Sequence, residues 1–321
     1  MKRRSLLALG LLTLGCPKPE EIIVATAEGE GLSAEDIDRD PLALLPGNAV
    51  GWVSADTLKL NGTALGKKLL VIAGAPVPPS AGFRVERDLH RLIVGLYSMQ
   101  GLDVVGVAKG TFDAHAIETA AEKQEKTPLG APVVKSQYAG RTLYTANNIG
   151  FVILTPQSAL FGNETGIRRA LDRIKEGRVR RQVPKWMDEL LSTPNAPMVV
   201  GTDLRSQPIT ESTRKQMPFL NGLHTARLLG NFHPPGMNFA GTLTYDEEEA
   251  ASNGVHALQS FDSTMRVGSF FTGLFGFTYP VTKLQARVRG KDAQVVAEID
   301  GQQVSTLVDT LSRMLGMVVP V

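Results

Sequence analysis

The chain of 321 residues contains a single cysteine, Cys16, and this limits how its fold can be stabilised. One thiol can form neither an intramolecular disulfide nor a cysteine-rich metal site. Hydrophobic residues make up 43% of the chain and charged residues 21%, which is ordinary for a globular protein. A fold of this chain must therefore be held together by the packing of its core.

The residues before Cys16 have the order of a secretory signal peptide. Positions 2–4 form a basic head, an apolar run covers positions 6–14, and Gly15 precedes the cysteine. The apolar run is about half of the ~20 residues that a membrane-spanning helix needs. The sequence therefore predicts export and removal of residues 1–15. The arginine pair in the basic head leaves the twin-arginine route open as an alternative to general secretion.

Residues 12–16 resemble the lipobox of bacterial lipoproteins, which ends in Gly-Cys. The resemblance implies that the Cys16 thiol receives a diacylglyceryl group and that Cys16 becomes the new N-terminus. Thr13 departs from the commonest lipobox, which has Leu at that place. Pro17 stands where the family carries an Asp as its usual inner-membrane retention signal. We therefore expect an exported protein that is lipid-anchored to the cell envelope, in the outer membrane and facing the periplasm.

Charge is unevenly distributed behind Cys16. Residues 17–41 include eight acidic and two basic residues, together with several Pro, Gly and Ala. A segment of this composition has too little apolar surface to order itself. We expect residues 16–41 to form a lipidated cysteine followed by an acidic flexible tether.

From Leu42 onward, short strand patterns alternate with helical patterns, and each half of the body reads β-α-β-β-α-β-β-α. Residues 103–123 parallel residues 238–258: both have a strand, a turn with an aromatic residue and Asp, and a helix. Residues 150–174 parallel residues 282–314 in the same way. The two halves therefore indicate an internal repeat.

The predicted fold class is α+β, with two similar modules at residues 42–190 and 191–321. Each module is expected to have an antiparallel sheet with helices on one face. Whether the modules share one sheet or pack side by side stays open at this point. The order of elements is similar to that of domains of unknown function that recur as duplicated α+β modules in exported bacterial proteins, and this resemblance implies no activity.

Common catalytic signatures are absent from the sequence, including the glycine-rich phosphate loop, HExxH and G-x-S-x-G. Asp113, His115 and Glu118 come closest to a metal-ligand cluster, but Asp113 lies where a helix cap is expected. His224 or His233, combined with a carboxylate and a hydroxyl, leaves a hydrolase as an alternative. We expect no catalytic residues, no metal and no cofactor.

A basic run lies near the end of the first predicted module, within 18 residues. It fits contact with an anionic surface, such as lipid head groups, an envelope polymer or an acidic protein. The alternative is a solvated helix end, where cations favour the helix dipole. An exported location argues against nucleic acid. The residues predicted for the anionic contact are Arg168, Arg169, Arg173, Arg178, Arg180, Arg181 and Lys185.

Four phenylalanines cluster between positions 267 and 281, among three glycines. If exposed, they would form a hydrophobic contact for a lipid or a protein partner. If buried, they would close the core of the second module. They are Phe270, Phe271, Phe275 and Phe277.

The sequence favours a lipid-anchored envelope protein with a non-catalytic binding or scaffolding role. Its expected partners are the membrane, through the N-terminal anchor, and an envelope protein or an anionic envelope polymer. The first alternative is a carrier of a hydrophobic ligand, which would be supported by a large apolar cavity under the helix predicted over 247–265. The second alternative is the hydrolase.

Overall fold

The computed structural model describes residues 32–74, 76–98, 103–128, 130–205, 209–272 and 279–314. Within these ranges the protein is α+β, as predicted, with a large antiparallel sheet. The strands are β1 Gly51–Asp56, β2 Leu89–Ser98, β3 Asp103–Gly110, β4 Val134–Tyr138, β5 Arg141–Ala146, β6 Ile149–Thr155, β7 Ser158–Asn163, β8 Met198–Asp203, β9 Leu223–Asn231, β10 Gly236–Tyr245, β11 Val281–Arg289 and β12 Asp292–Asp300.

Ten α-helices and three short 3-10 helices accompany the sheet in the described ranges. The α-helices are α1 Ala34–Arg39, α2 Thr57–Asn61, α3 Ala64–Gly74, α4 Val85–Asp88, α5 Ala114–Glu122, α6 Glu164–Lys175, α7 Lys185–Leu191, α8 Glu211–Gln216, α9 Glu248–Thr272 and α10 Gly301–Met314. The 3-10 helices are Pro41–Leu44, Pro79–Ala81 and Pro218–Leu220.

The strands of both predicted modules belong to one continuous sheet. Its order is β11-β12-β10-β9-β8-β1-β2-β3-β7-β6-β5-β4, and neighbouring strands are antiparallel. Strands β1 and β8 pair at the centre, with Val53 opposite Val200. The described residues of the body also group into one compact unit.

Side chains alternate between two faces of this sheet, and the strand register relates the faces across its whole width. Residues that lie opposite each other on neighbouring strands share a face. The front face is defined by Trp52, Ile93, Val107, Leu160 and Val199. The back face is defined by Ala108, Ala159 and Phe161 in the first half and Leu243 in the second.

Helices cover both faces, so the prediction of helices on one face is wrong. Helices α1, α6 and α7 pack on the front face, where they share one core with the strands. Helices α2 to α5 and α9 pack on the back face. The reason is visible in β3 and β6, whose apolar side chains are nearly continuous rather than alternating, so that both faces need cover.

The acidic segment folds earlier than the flexible tether prediction allows. Ser33 caps α1 by accepting a hydrogen bond from the Asp36 amide at 3.1 Å, and Ile37 is fully buried. Acidic composition suggested a solvated segment, but Asp38 and Asp40 have polar and basic partners on the body. The tether prediction is therefore wrong from residue 33 onward.

The predicted boundary between the modules also contains a folded element, α7. Its Met187 is fully buried in the front-face core. Trp186 of the same helix lies under the guanidinium of Arg227 from β9, at 5.0 Å from the ring centroid. Helix α7 therefore joins the two halves of the sheet.

Candidate functional site

An apolar pocket lies on the back face of the first half, between strands β2, β3, β6 and β7 and a cover formed by α5 and residues 76–83. Its volume is about 50 Å³. Every residue that lines it is apolar. They are Pro76, Val77, Phe83, Leu89, Leu92, Ala108, Phe112, Ile117, Phe151, Ile153, Ala159 and Phe161.

Phenyl rings give this pocket much of its surface. Phe83 stacks on Phe112 with ring centroids 5.7 Å apart, and Phe151 stacks on Tyr144 at 5.1 Å. Such a lining offers dispersion contacts and no hydrogen bond from a side chain. An apolar cavity of about 150 Å³ holds one benzene ring, so the present space fits only a slim group such as the end of an alkyl chain.

The pocket cover is tied to the body by hydrogen bonds at the protein surface. The Ser80 amide donates to Glu125 Oε2 at 3.1 Å, and Arg87 Nη2 donates to the Gly82 carbonyl oxygen at 3.3 Å. Gly82 adopts a φ of 67°, a left-handed conformation that glycine takes without steric cost. A chain longer than the pocket would have to displace this cover.

The pocket is not at the position expected for a hydrophobic carrier. That expectation placed the ligand under the helix over 247–265. There, Ala251 and Val255 of α9 pack directly against Leu243 and Val295 of the sheet. The apolar space lies instead beside α5, in the other half of the molecule.

The basic run begins with three arginines of α6 that bind within the chain. Arg168 pairs with Glu164, and Arg169 Nη2 donates to Asp103 Oδ1 at 2.7 Å. Their guanidinium groups lie over tyrosine rings, at 4.8 Å from the centroid for Arg168 and 4.6 Å for Arg169. These contacts direct both side chains onto the protein surface.

Arg173 is buried, with 8% of its surface exposed. Its guanidinium donates to Gln182 Oε1 at 2.6 Å and to the carbonyl oxygens of Arg180 and Ala43 at 3.1 and 3.5 Å. Burial lowers the pKa of Arg173, and the charge of Arg178 lowers it further. Since Arg173 is enclosed, it cannot contact an external anionic surface.

The remainder of the run lies between α6 and α7. Arg181 Nε donates to Asp40 Oδ2 at 2.7 Å, and the same guanidinium pairs with Asp188. Arg178 pairs with Glu176, and the exposed Lys185 lies 3.8 Å from Glu189. Contact of the exposed Arg178, Arg180 and Lys185 with an anionic surface stays a prediction. Several other arginines of the run form ion pairs with carboxylates of the same chain.

His224 meets a carboxylate, because its Nε2 pairs with Asp246 Oδ1 where β9 lies beside the end of β10. The adjoining surface pocket of about 470 Å³ is rich in carboxylates from the start of α9. Its described lining contains no serine or threonine that could act as a nucleophile. His224 therefore has an acidic partner, and the described lining of the adjoining pocket offers it no hydroxyl nucleophile.

His233 lines a groove of about 560 Å³ that also includes Glu298 and Thr193. These groups have other partners: Glu298 pairs with Lys283 at 3.0 Å, and the Thr193 hydroxyl faces the Glu189 carbonyl oxygen at 3.5 Å. A hydrolytic centre needs a hydrogen bond between nucleophile and base. None joins these three residues among the described contacts.

The candidate metal ligands Asp113 and Glu118 both have partners within the protein. Asp113 caps α5 by accepting from the Ala116 amide at 2.9 Å, and Glu118 pairs with Lys135 at 2.9 Å. The described ranges contain no group of three or more His, Cys, Asp or Glu placed to hold a metal ion.

Two predictions lie outside what can be described. Cys16 belongs to residues 1–31, which are outside the described ranges. Phe270 and Phe271 have backbone positions at the end of α9, whereas their side chains, and Phe275 and Phe277 entirely, are outside the description. No described helix is at once long and apolar enough to cross a membrane.

Two features of the structure have no motif in the sequence, the pocket and a polar cluster around Asp38. The pocket draws its rings from positions 83, 112, 151 and 161, which are too far apart in sequence to form a motif. Asp38 was hidden in an acidic stretch, and its partners Lys109, Thr155 and Ser158 are more than 70 positions away. The apolar character of β3 and β6 was the available signal that both faces are covered.

No family model matches the chain, and no curated protein matches it. Among solved structures, crystal form III of TP0453 aligns with a TM-score of 0.52 at 10% identity, covering 84% of this chain and 98% of that chain. Crystal form IV of TP0453 gives a TM-score of 0.51 at 11% identity, covering 85% and 96%. Identities this low show a similar fold and carry no activity from one protein to the other.

Proposed function

We propose that this chain is an exported protein, anchored in the outer membrane through a lipidated Cys16, whose body binds an apolar group and catalyses no reaction. The observation that carries the binding role is the pocket beside α5, with its twelve apolar lining residues. Its proposed ligand is the end of an alkyl chain. A partner protein that presents such a chain would make the same body a scaffold.

The energetics of such a site favour a weak, exchangeable ligand. Each buried methylene contributes about 0.8 kcal/mol, so three or four methylenes contribute roughly 2–3 kcal/mol. That corresponds to a gain of about 30- to 150-fold in affinity over an unburied chain. Displacement of the cover would admit more of the chain and strengthen binding.

The body is proposed to consist of two related modules, as the sequence predicted. The second half runs β8-α8-β9-β10-α9-β11-β12-α10, which is the predicted order. From the centre outward, the sheet reads β1-β2-β3-β7-β6 on one side and β8-β9-β10-β12-β11 on the other. The first half then carries β4 and β5 as an additional hairpin at its edge.

Individual residues support the same correspondence. The central register pairs Val53 with Val200, so a local two-fold relation places Asp56 in the position of Asp203. Gly106 and Gly241 also correspond: each lies against a backbone carbonyl of the preceding strand, in β2 and β9 respectively. Both glycines fall at the same place in the two parallel sequence segments.

A pocket-filling substitution tests the binding role. Ala108→Leu extends a side chain from β3 into the pocket, while Ala240→Leu makes the same change at an exposed position of β10. The probe is N-decyl dansylamide, whose alkyl end is free, titrated by fluorescence into the processed chain, which is residues 16–321 expressed directly without the signal peptide and carrying Cys16→Ser. We expect Ala108→Leu to raise the Kd at least tenfold and Ala240→Leu to change it less than twofold. Equal affinities in two folded variants would refute the pocket as the binding site.

The anchor is tested independently by fractionation of cells. Cys16→Ser, or a globomycin-type block of signal processing, is expected to stop maturation or to move the protein from the membrane to the soluble fraction. A protein that still matures and stays in the outer membrane after both treatments would rule out lipidation at Cys16.

A further inference from the structure

One carboxylate connects the start of the body to three strands of the front face. Asp38 Oδ1 accepts from Lys109 Nζ of β3 at 2.9 Å and from the Thr155 hydroxyl of β6 at 2.9 Å. The Ser158 hydroxyl of β7 donates to the same oxygen. Lys109 Nζ also contacts the Asp38 carbonyl oxygen at 3.3 Å and the Ser158 hydroxyl at 2.8 Å.

This cluster is largely shielded from water. The side chains of Asp38 and Lys109 are 21% and 22% exposed, and Ser158 is fully buried. Burial alone would raise the pKa of Asp38, but the hydrogen bonds from Ser158, Lys109 and Thr155 and the charge of Lys109 outweigh it. The pKa of Asp38 therefore lies below its ordinary value. Lys109 is the charged group among these partners, so neutral Asp38 would leave it half-buried without its counter-ion.

The other residues of α1 attach the helix to the body only weakly. Ile37 is its buried residue, and Arg39 makes ion pairs with Glu35 and Asp36 that are exposed and internal to the helix. Asp40 then pairs with Arg181 at the end of the segment.

The attachment changes at Pro41. The short helix Pro41–Leu44 and the residue after it bury Leu42, Leu44 and Leu45 in the front-face core. Three buried leucines contribute several kcal/mol, more than Ile37 and the partly buried Leu32 before Pro41. The segment before Pro41 therefore relies more on its polar contacts, and the segment after it relies more on the core.

We propose that residues 33–40 form a releasable strap and that Asp38 is its catch. Loss of the Asp38 charge frees the strap from the front face while the chain from Pro41 onward stays folded. Release adds eight residues to the chain that joins Cys16 to the body, a span of roughly 26–29 Å when extended. The gain in reach rests on the proposed anchor, whereas release of the strap does not.

Hydrogen exchange followed by mass spectrometry tests the strap in the processed chain carrying Cys16→Ser. The variant is Asp38→Asn, and its matched control is Glu35→Gln, which removes the same charge from an exposed position on the same helix. We expect Asp38→Asn to accelerate amide exchange at least tenfold over residues 34–40. Residues 42–45 and the strands should exchange as in the unaltered protein, and the control should do so throughout.

Two outcomes would overturn the proposal. Unchanged exchange over residues 34–40 would show that Asp38 is not the catch, and equal acceleration over residues 42–45 would show that the strap does not open separately. If Asp38→Asn does not fold, Ser158→Ala removes a single hydroxyl donor to the same carboxylate. It is then expected to accelerate exchange over 34–40 alone, and a lack of acceleration refutes the catch. Neither result depends on ligand binding or lipidation, so a failed pocket or anchor test leaves the strap unaffected.

Discussion

At the scale of single residues, Gly241 shows how closely neighbouring strands approach. A Cβ atom at this position would lie 1.9 Å from the carbonyl oxygen of Arg227, which belongs to the backbone of β9. Backbone atoms cannot rotate away as the end of a flexible side chain can, so the two strands would have to separate. Gly241 and Gly106 stand at the same place in the parallel segments 238–258 and 103–123, but the physical reason for either glycine appears only when the strands are paired.

Gly241→Ala is therefore expected to destabilise the protein by about 1–3 kcal/mol through overpacking. Gly268→Ala is the matched control, because its Cβ would meet nothing within 4 Å on helix α9. The control should be neutral or slightly stabilising, by up to about 1 kcal/mol, because Ala favours helix over Gly. Urea unfolding followed by circular dichroism measures both. Equal unfolding midpoints for the two variants would contradict the close strand approach.

Asp38 shows why composition could not locate the start of the folded body. Composition counts an acidic residue as a solvated one, whereas Asp38 is enclosed by three donors from distant strands. Its hydrogen-bonding capacity is fully visible in the sequence, but its partners are fixed by the tertiary fold. The boundary between tether and body could therefore not be located from the local sequence.

At the scale of elements, the strands were more predictable than the short helices. Strand β8, Met198–Asp203, can be predicted from its sequence, because it is rich in apolar and β-branched residues between turn signals. Helices α1 and α7 were not anticipated. Each is seven residues or fewer, and such helices gain their stability from tertiary contacts, here through Ile37 and Met187.

The basic run that starts on α6 contains residues in very different structural environments. We predicted one anionic contact for the whole run, although Arg173 of α6 faces the protein interior and the side chain of Lys185 at the start of α7 is 92% exposed. Helical spacing indicates which residues share a face, but it does not reveal that a loop carbonyl and the N-terminal segment lie over that face. Charge alone could not assign the role of each arginine.

Arg173→Met is expected to destabilise the protein by about 2–4 kcal/mol. Methionine fills much of the same space but leaves the carbonyl oxygens of Ala43 and Arg180 without their donor. Lys185→Met removes the same charge from an exposed position and should cost less than about 0.5 kcal/mol. Urea unfolding midpoints of the two variants give the comparison. A cost for Lys185→Met equal to that for Arg173→Met would contradict the structural role of Arg173.

At the scale of the whole molecule, two predicted modules form one sheet whose front face is covered unevenly. Helix α6 covers the front face of the first half, whereas α10, which follows β12, packs against α3 with Lys68 Nζ 2.5 Å from Asp309 Oδ2. The exposed Ala240 and Gln294 lie on the front face of the second half. Val105 and Leu160, which the proposed repeat would place at the equivalent positions of the first half, are buried and apolar. The second half therefore solvates a face that the first half buries.

Sequence patterns could predict the α+β class and the antiparallel hairpins, because both depend on local periodicity. They left open whether the modules share a sheet, because pairing of β1 with β8 joins segments about 150 positions apart. The pocket was unpredictable for a related reason. The pocket exists only where residues 76–83, α5 and four strands leave space between their side chains.

If an alkyl chain binds beside α5, nuclear magnetic resonance should locate it there. The processed chain carrying Cys16→Ser would be deuterated except for its isoleucine δ1 methyl groups. It would then be mixed with decanoate that is not deuterated. We expect intermolecular nuclear Overhauser effects from the alkyl chain to Ile117 and Ile153, which line the pocket, and none to Ile37 and Ile174, which lie in the front-face core. Effects confined to the front-face isoleucines, or none at Ile117 and Ile153 when decanoate is saturating, would contradict binding beside α5.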